Sequence, residues 1–137
     1  MPDRERYARG LVDTSVVIDL GSIDPEALPA ETTVSAITMA ELAAGPHATT
    51  DPHERARRQD RLQRTEATFD PLPFDGESAR AYGRIYSAVL VAGRKARGAR
   101  AVDLLIAATA LASGLPLFTR NPTDFKSVEA LIDVVTI

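Results

Sequence analysis

Short runs of apolar residues alternate along the chain with longer stretches whose apolar positions recur three and four residues apart. The short runs, at residues 11–12, 32–37, 115–119 and 132–137, are rich in aliphatic and β-branched side chains and predict buried strands. Residues 71–74 predict a brief strand or an extended link. The longer stretches predict helices. Because strands alternate with helices, we predict an α/β fold, a three-layer α/β/α sandwich with a mostly parallel central sheet.

Polar residues mark the start of each predicted helix. In chain order they are Asp13, Thr38, Asp51, Asp75, Asp103 and Asn121. Side-chain oxygens of these types accept hydrogen bonds from the free N–H groups of a first helical turn. The second helix is predicted to end near residues 45–46, the third near Thr68 and the fifth at Gly114, whereas the fourth frays over residues 93–98.

The third and fourth helices differ in how much apolar surface they carry. The third has few apolar positions, so we expect it to be mostly exposed. The fourth has an apolar stripe at helical spacing, which predicts a face turned toward the core. The residues of this stripe are Ala79, Tyr82, Ile85, Tyr86, Val89 and Leu90.

Composition narrows the class of protein. The 137 residues suit one domain with a substantial core, and we expect residues 1–137 to form a single domain. The absence of cysteine excludes disulfides, thiolate metal sites and a cysteine nucleophile. Five of the first ten residues are charged, and the longest apolar stretch, residues 104–118, is interrupted by Ser113, Gly114 and Pro116. We therefore expect a cytoplasmic protein without a membrane segment.

The charge is slightly acidic overall, but the basic residues are unevenly placed. A net charge of −3 argues against a general polyanion binder. Fourteen of the 16 basic residues are arginines, whose planar guanidinium binds phosphate as a fork of donors. The two basic groups are Arg55, Arg57, Arg58, Arg61 and Arg64, and Arg94, Lys95, Arg97 and Arg100. Each group is open to two interpretations, a solvated helix face or a contact with phosphate.

Four acidic residues, Asp13, Glu41, Asp103 and Asp124, lie at or near predicted helix starts. Each has a simple structural explanation, because Glu41 would complete a capping box and the others would lie in first turns, where the helix dipole favours negative charge. Three of them, however, follow strand-like runs, and the carboxyl ends of parallel strands meet at one edge of a sheet. We therefore expect the four carboxylates to lie close together.

Carboxylates gathered in this way favour a metal site. Without a cation they would repel one another, and burial would raise their pKa values. Mg²⁺ and Mn²⁺ prefer oxygen ligands and can orient and activate a water for attack on a phosphodiester. The chain has no glycine-rich phosphate loop and no GxSxG or HExxH motif. His47 and His53 lie in or beside one loop, where we expect them to be exposed, so a metal-activated water is the better candidate nucleophile.

Four segments of the sequence resemble the PIN-domain nucleases, specifically the VapC toxins of bacterial toxin–antitoxin pairs. They are LVDTSVVIDL near the start, SAITMAELAAG, AVDLLIAATALASGLPLFTRNPTDF and the terminal IDVV. The resemblance covers nearly the whole chain. The part of the resemblance that is specific to this family is the combination of Glu41 with the motifs at residues 103–110 and 119–125.

The resemblance implies a Mg²⁺- or Mn²⁺-dependent endoribonuclease that slows growth by cutting tRNA or ribosomal RNA and leaves a 5′-phosphate and a 3′-hydroxyl. The residues that match the acidic metal ligands of the family are Asp13, Glu41, Asp103 and Asp124. Many PIN proteins carry an acid where this chain has Asn121, which would hold a metal-bound water or cap a helix. Ser15 and Thr119 match polar residues that steady the acids by hydrogen bonds.

The resemblance also implies a homodimer and a VapB-like antitoxin whose tail occupies the site. An arginine from such a partner would pair with the carboxylates and displace the metal. The third helix and the stripe with Tyr82 and Tyr86 are candidate surfaces for these contacts. Two other interpretations stay open: a catalytically inactive PIN-like module that acts only through its partner, and a metal-independent ribonuclease that uses His47 or His53.

Overall fold

A sheet of four parallel strands, in the order β2-β1-β3-β4, forms the centre of the molecule. The computed structural model describes residues 7–95 and 98–137. Within these ranges the strands are β1 (Arg9–Val12), β2 (Glu31–Thr33), β3 (Leu117–Thr119) and β4 (Val134–Thr136). The α-helices are α1 (Thr14–Ile18), α2 (Ala36–Ala44), α3 (Pro52–Thr68), α4 (Gly76–Val91) and α5 (Ala99–Ser113). Short 3-10 helices occupy Leu20–Ser22, Pro25–Ala27, Gly45–Ala48 and Pro122–Val128.

Helices cover both faces of the sheet, as predicted. Neighbouring residues of a strand point to opposite faces. Leu11 and Leu117 therefore lie in a core made with α4, α5 and the 3-10 helix at Pro122–Val128, whereas Val12 and Phe118 lie in a core made with α1, α2 and α3. This confirms the α/β sandwich. None of the helices in the described residues is long and apolar enough to cross a membrane.

The close approach of β1 and β3 depends on one glycine. A Cβ atom at Gly10 would lie 2.5 Å from Cε1 of Phe118, whose side chain is almost completely buried. The hydrogen bonds from Leu11 N to Pro116 O and from Asp13 N to Phe118 O hold the two strands in register. The absence of a side chain at Gly10 thus leaves the space that the Phe118 ring occupies beside β1.

Two helices begin earlier than predicted. Ser35, not Thr38, is the N-cap of α2, because its Oγ accepts a hydrogen bond from Thr38 N at 3.1 Å. The strand predicted at residues 32–37 accordingly ends at residue 33. Helix α5 begins at Ala99 rather than at Asp103, with Gly98 at its N-cap. Both helix starts were predicted several residues too late, because Thr38 and Asp103, the predicted cap residues, have other roles in the fold.

The core-facing side of α4 also differs from the predicted stripe. Its buried residues are Ser78, Ala81, Ile85 and Val89, whereas Ala79, Tyr86 and Leu90 are exposed. The prediction is thus confirmed at Ile85 and Val89, and Tyr82 packs against the same core, whereas the other members of the stripe face solvent. Residues 71–74 form an extended link, in which Leu72 N donates to Val34 O.

Candidate active site

The end of β1 places Asp13 at the edge of the sheet. Asp13 is 4% exposed and caps α1, since its Oδ1 accepts a hydrogen bond from Val16 N at 3.2 Å. The backbone N–H of Asp13 donates a hydrogen bond to Phe118 O at 3.0 Å, so the carboxyl ends of β1 and β3 lie side by side. The helix start and the strand end thus fix the backbone that carries the carboxylate.

Hydroxyl groups surround Asp13. Ser15 Oγ donates to Asp13 Oδ1 at 2.6 Å and accepts from Arg120 N at 3.1 Å, which ties α1 to the end of β3. Burial raises the pKa of Asp13 above its ordinary value, while hydrogen bonds from the side chains of Ser15 and Thr119 and from the backbone N–H of Val16 partly offset that rise. Ser15 and Thr119 therefore lie where the resemblance implied, beside the carboxylate that they would steady.

Asp103 shows that the four acids share one electrostatic environment. Its pKa is raised to about 7 by burial first, and then by the negative charges of Asp124, Glu41 and Asp13, while Arg100 acts in the opposite direction. Asp103 is half-buried on the second turn of α5. The structure thus brings together all four acids that the sequence analysis singled out.

Two of the four acids are not at helix starts, contrary to expectation. Glu41 lies in the second turn of α2, so the capping box with Thr38 does not form. Asp103 likewise lies inside α5, whose first turn holds no acidic residue. Neither position has a capping role to account for a carboxylate, which strengthens the functional interpretation. Asp13 and Asp124 do lie at helix starts.

Asp124 and Asn121 are the two candidates for the fourth role in the site, and their surroundings differ. Asn121 is exposed and stands before the 3-10 helix without a side-chain capping bond, and its N–H donates to Thr119 Oγ1 at 2.9 Å. Asp124 is half-buried and contributes charge to the cluster. Proximity to the other acids therefore favours Asp124 over Asn121.

Sequence reasoning missed the role of Thr14. Its Oγ1 lies 2.6 Å from Glu41 Oε1 and 3.0 Å from Thr38 Oγ1. The only sequence signal was its position next to Asp13. Helix α2 brings Glu41 to Thr14, and this contact depends on tertiary packing.

The donor set suits a hard divalent cation. Within residues 7–95 and 98–137, no three His, Asp or Glu side chains converge closely enough to form a ready-made metal cage. Mg²⁺ does not require one, because it keeps several waters and is usually held by one or two carboxylates directly. The cluster offers carboxylate oxygens that are partly buried and repel one another, and a cation would remove that repulsion.

The two basic groups have different surroundings. Members of the first bond within α3 or to the loop before it: Arg57 and Arg58 to Glu54, Arg64 to Asp60, and Arg55 to the carbonyls of Pro46 and Thr49. In the second group, Arg100 lies near Asp103, and Arg94 Nη1 donates to Thr123 O at 3.1 Å. Arg97 lies outside the described residues. Among the described members of the two groups, Arg100 therefore lies beside the acids, and Arg94 contacts the residue that precedes Asp124.

Both histidines are exposed, His47 in the 3-10 helix after α2 and His53 in the first turn of α3. Their exposure agrees with the expectation from the sequence. Neither side chain is held in a buried setting that would orient it as a general base.

Comparisons with known proteins agree with this fold. A family model described as the PIN domain matches residues 10–131. Ribonuclease VapC5 of Mycobacterium tuberculosis is 32% identical over 130 residues, which is 93% of each chain. Ribonuclease VapC of Rickettsia bellii is 33% identical over 131 residues, 93% of this chain and 95% of that protein. A chain in the crystal structure of VapBC-5 from M. tuberculosis, a member of the VapBC family of toxin–antitoxin systems, superposes with a TM-score of 0.81 at 32% identity and covers 95% of this chain and 98% of its own length.

Proposed function

Because the chain belongs to the PIN domain family and is similar to VapC ribonucleases over nearly its whole length, we propose that it is a divalent-metal-dependent endoribonuclease, the toxin of a type II toxin–antitoxin pair. The observation that carries the proposal is the pKa of Asp103, raised to about 7 by burial and by three other carboxylates. Such repulsion in a folded protein is costly unless a cation relieves it.

In the proposed site, Asp13, Glu41, Asp103 and Asp124 hold Mg²⁺ or Mn²⁺. When bound, the cation supplies a water of lowered pKa and stabilises charge on the phosphate oxygens. Ser15 and Thr119 orient the Asp13 carboxylate. Cleavage by water in this way leaves a 5′-phosphate and a 3′-hydroxyl.

Substrate binding is assigned to the arginines beside the acids. Arg94 and Arg100 can reach phosphates that flank the scissile bond, because guanidinium groups bind phosphate as a fork. The proposed substrates are structured RNAs of translation, tRNA or ribosomal RNA. We further propose that residues 1–137 act as one nuclease domain in the cytoplasm, since both helical layers pack on the same sheet.

The proposed partners are a VapB-like antitoxin and a second copy of the chain. A solved relative at 32% identity is a VapBC toxin–antitoxin system. Helix α4 offers an exposed apolar surface for such contacts, with Tyr86 42% and Leu90 53% exposed. Light scattering of the purified chain, alone and with its antitoxin, tests both assemblies, and a monomeric mass without antitoxin would contradict the homodimer.

Sequencing of RNA that carries 5′-phosphate ends, after induced expression, tests the activity. Wild type should produce new ends at defined sites and arrest growth, whereas Asp13→Asn should do neither. Asp70→Asn, which changes an exposed acid in the link before α4, is the matched control and should behave as wild type.

Two outcomes would contradict the proposal. Growth arrest that persists in Asp13→Asn would favour an inactive binding module. Cleavage by the purified, antitoxin-free protein that is as fast in EDTA as in Mg²⁺ would favour a metal-independent mechanism, and a cyclic phosphate at the new ends would identify it.

A further inference from the structure

A chain of hydroxyl groups leads from the start of α2 to one of the acids. Ser35 Oγ lies 3.4 Å from Thr38 Oγ1, Thr38 Oγ1 lies 3.0 Å from Thr14 Oγ1, and Thr14 Oγ1 lies 2.6 Å from Glu41 Oε1. Ser35 and Thr38 are completely buried. Water therefore does not reach the first two groups, and their hydrogen bonds must be made within the protein.

The direction of the hydrogen bonds follows from counting protons. Each hydroxyl has one proton to donate, and an ionised carboxylate can only accept. The short contact with Glu41 takes the proton of Thr14, so Thr38 must donate to Thr14, and Ser35 must donate to Thr38. All the hydrogen bonds in this series of hydroxyl groups are thus donated in the direction of Glu41, and each bond strengthens the next.

Glu41 depends on this contact for its orientation. A glutamate side chain has several rotatable bonds, and fixing it in one conformation costs conformational entropy. Within residues 7–95 and 98–137, the structure gives the Glu41 carboxylate no side-chain hydrogen bond other than that from Thr14. Oε1 is engaged, and Oε2 is left available for another ligand.

We propose that Thr14 is a positioning residue for Glu41, and that the buried Ser35–Thr38 pair fixes Thr14 in turn. The neighbouring Ser15 holds Asp13 in the same way. The first two residues of α1 therefore orient two acids that come from different elements, one from the end of β1 and one from α2. The inference rests on the proposed function, since it concerns how the acids are held ready for the cation.

The test compares Thr14→Val with Thr14→Ser in the purified, antitoxin-free protein. Valine has nearly the same shape as threonine but lacks the hydroxyl, whereas serine retains it. Titration calorimetry with Mn²⁺ should give a dissociation constant for Thr14→Val about 10-fold or more above wild type, a usual cost of losing such a supporting contact, and one within about 2-fold of wild type for Thr14→Ser. RNA cleavage should likewise fall in Thr14→Val and be retained in Thr14→Ser.

A matched control distinguishes the loss of the hydroxyl that positions Glu41 from the loss of a buried hydroxyl elsewhere in the protein. Thr65 is buried in α3 and donates to Arg61 O at 2.7 Å, away from the acids, so Thr65→Val should bind Mn²⁺ as wild type does. Thr38→Val, which removes the donor to Thr14 and the acceptor for Ser35 Oγ but leaves Thr14 itself intact, should weaken Mn²⁺ binding by about 3-fold. This variant tests the proposal even if Thr14→Val does not fold.

The possible results are distinct. Wild-type Mn²⁺ affinity in both Thr14→Val and Thr38→Val overturns the positioning role while the proposed function stands. Weakening in Thr14→Ser equal to that in Thr14→Val also overturns it, because the hydroxyl would not be the cause. A wild-type protein that neither binds Mn²⁺ nor cuts RNA overturns the proposed function and this inference together.

Discussion

Asp124 is the largest single charge acting on Asp103: its carboxylate contributes more to the raised pKa of Asp103 than does Glu41 or Asp13. The two residues come from different elements, α5 and the 3-10 helix at Pro122–Val128, which contact each other. Both carboxylates are half-buried. Ionisation of Asp103 near neutral pH therefore has a cost in stability, unless a cation lies between the two carboxylates.

The first prediction concerns stability without metal. Because the pKa of Asp103 is raised from 3.8 to about 7, the folded state binds its proton more tightly than the unfolded state does. The free energy of unfolding should therefore fall as the pH rises from about 4 to about 7. Asp103→Asn removes this loss, so at about pH 8 it should melt about 3 °C above wild type, allowing for the partial exposure of the group.

Thermal melts in EDTA across this pH range measure the effect. The advantage of Asp103→Asn should shrink toward zero below about pH 4, where the wild-type carboxyl is protonated in the folded state and becomes protonated in the unfolded state as well. A difference in melting temperature that does not change with pH would show that Asp103 carries no raised pKa.

The second prediction concerns metal binding and pH. The proton held by Asp103 must leave before its carboxylate can ligate a cation, so Mn²⁺ affinity should rise between about pH 6 and pH 8, by up to about 10-fold per pH unit. Calorimetry near pH 6.5 in two buffers of different ionisation enthalpy should detect the release of up to about one proton per site. Asp70→Asn should show the same dependence, and an affinity that does not change with pH would contradict ligation of the cation by Asp103.

The third prediction concerns Ser15. Ser15→Ala removes the donor to Asp13 Oδ1 and the acceptor for Arg120 N, so a buried carboxylate loses a stabilising hydrogen bond. The free energy of unfolding should fall by about 1–3 kcal/mol. Urea denaturation measures this loss, with Ser22→Ala as the control, because Ser22 is exposed and its hydroxyl donates to the nearby Asp19 O. Equal stability of the two variants would count against a role for Ser15.

The fourth prediction concerns the sheet. Gly10→Ala would place a Cβ atom 2.5 Å from the buried ring of Phe118, so strain should destabilise the fold by about 1–3 kcal/mol. Gly83→Ala is the matched control, since it lies within α4 with open space around it and should stabilise the helix by about 0.5–1 kcal/mol. Denaturation curves of the two variants should move in opposite directions, and a stabilised Gly10→Ala would contradict the packing.

Much of the fold could be predicted because it depends on local patterns. Apolar runs gave the strands, and the capping residues Asp13, Asp51 and Asp75 correctly placed three helix starts. The starts of α2 and α5 could not be placed in this way. Ser35 lies inside an apparent strand, and α5 begins at Ala99 after a glycine without a side-chain cap.

The sequence by itself determined which residues can do the chemistry: four carboxylates, adjacent hydroxyls at positions 14 and 15, and arginines near residue 100, in the pattern of a known family. Only the tertiary structure decided how they are used. The packing places Asp124 close to Asp103. Glu41, which the sequence predicted to complete a cap, instead accepts a hydrogen bond from Thr14. Tyr86, which the sequence placed on the core-facing stripe, lies outside the core. The reason is physical. Capping and periodicity depend on neighbours along the chain, whereas pKa shifts and hydroxyl contacts depend on groups that only the packing of separate elements brings within reach.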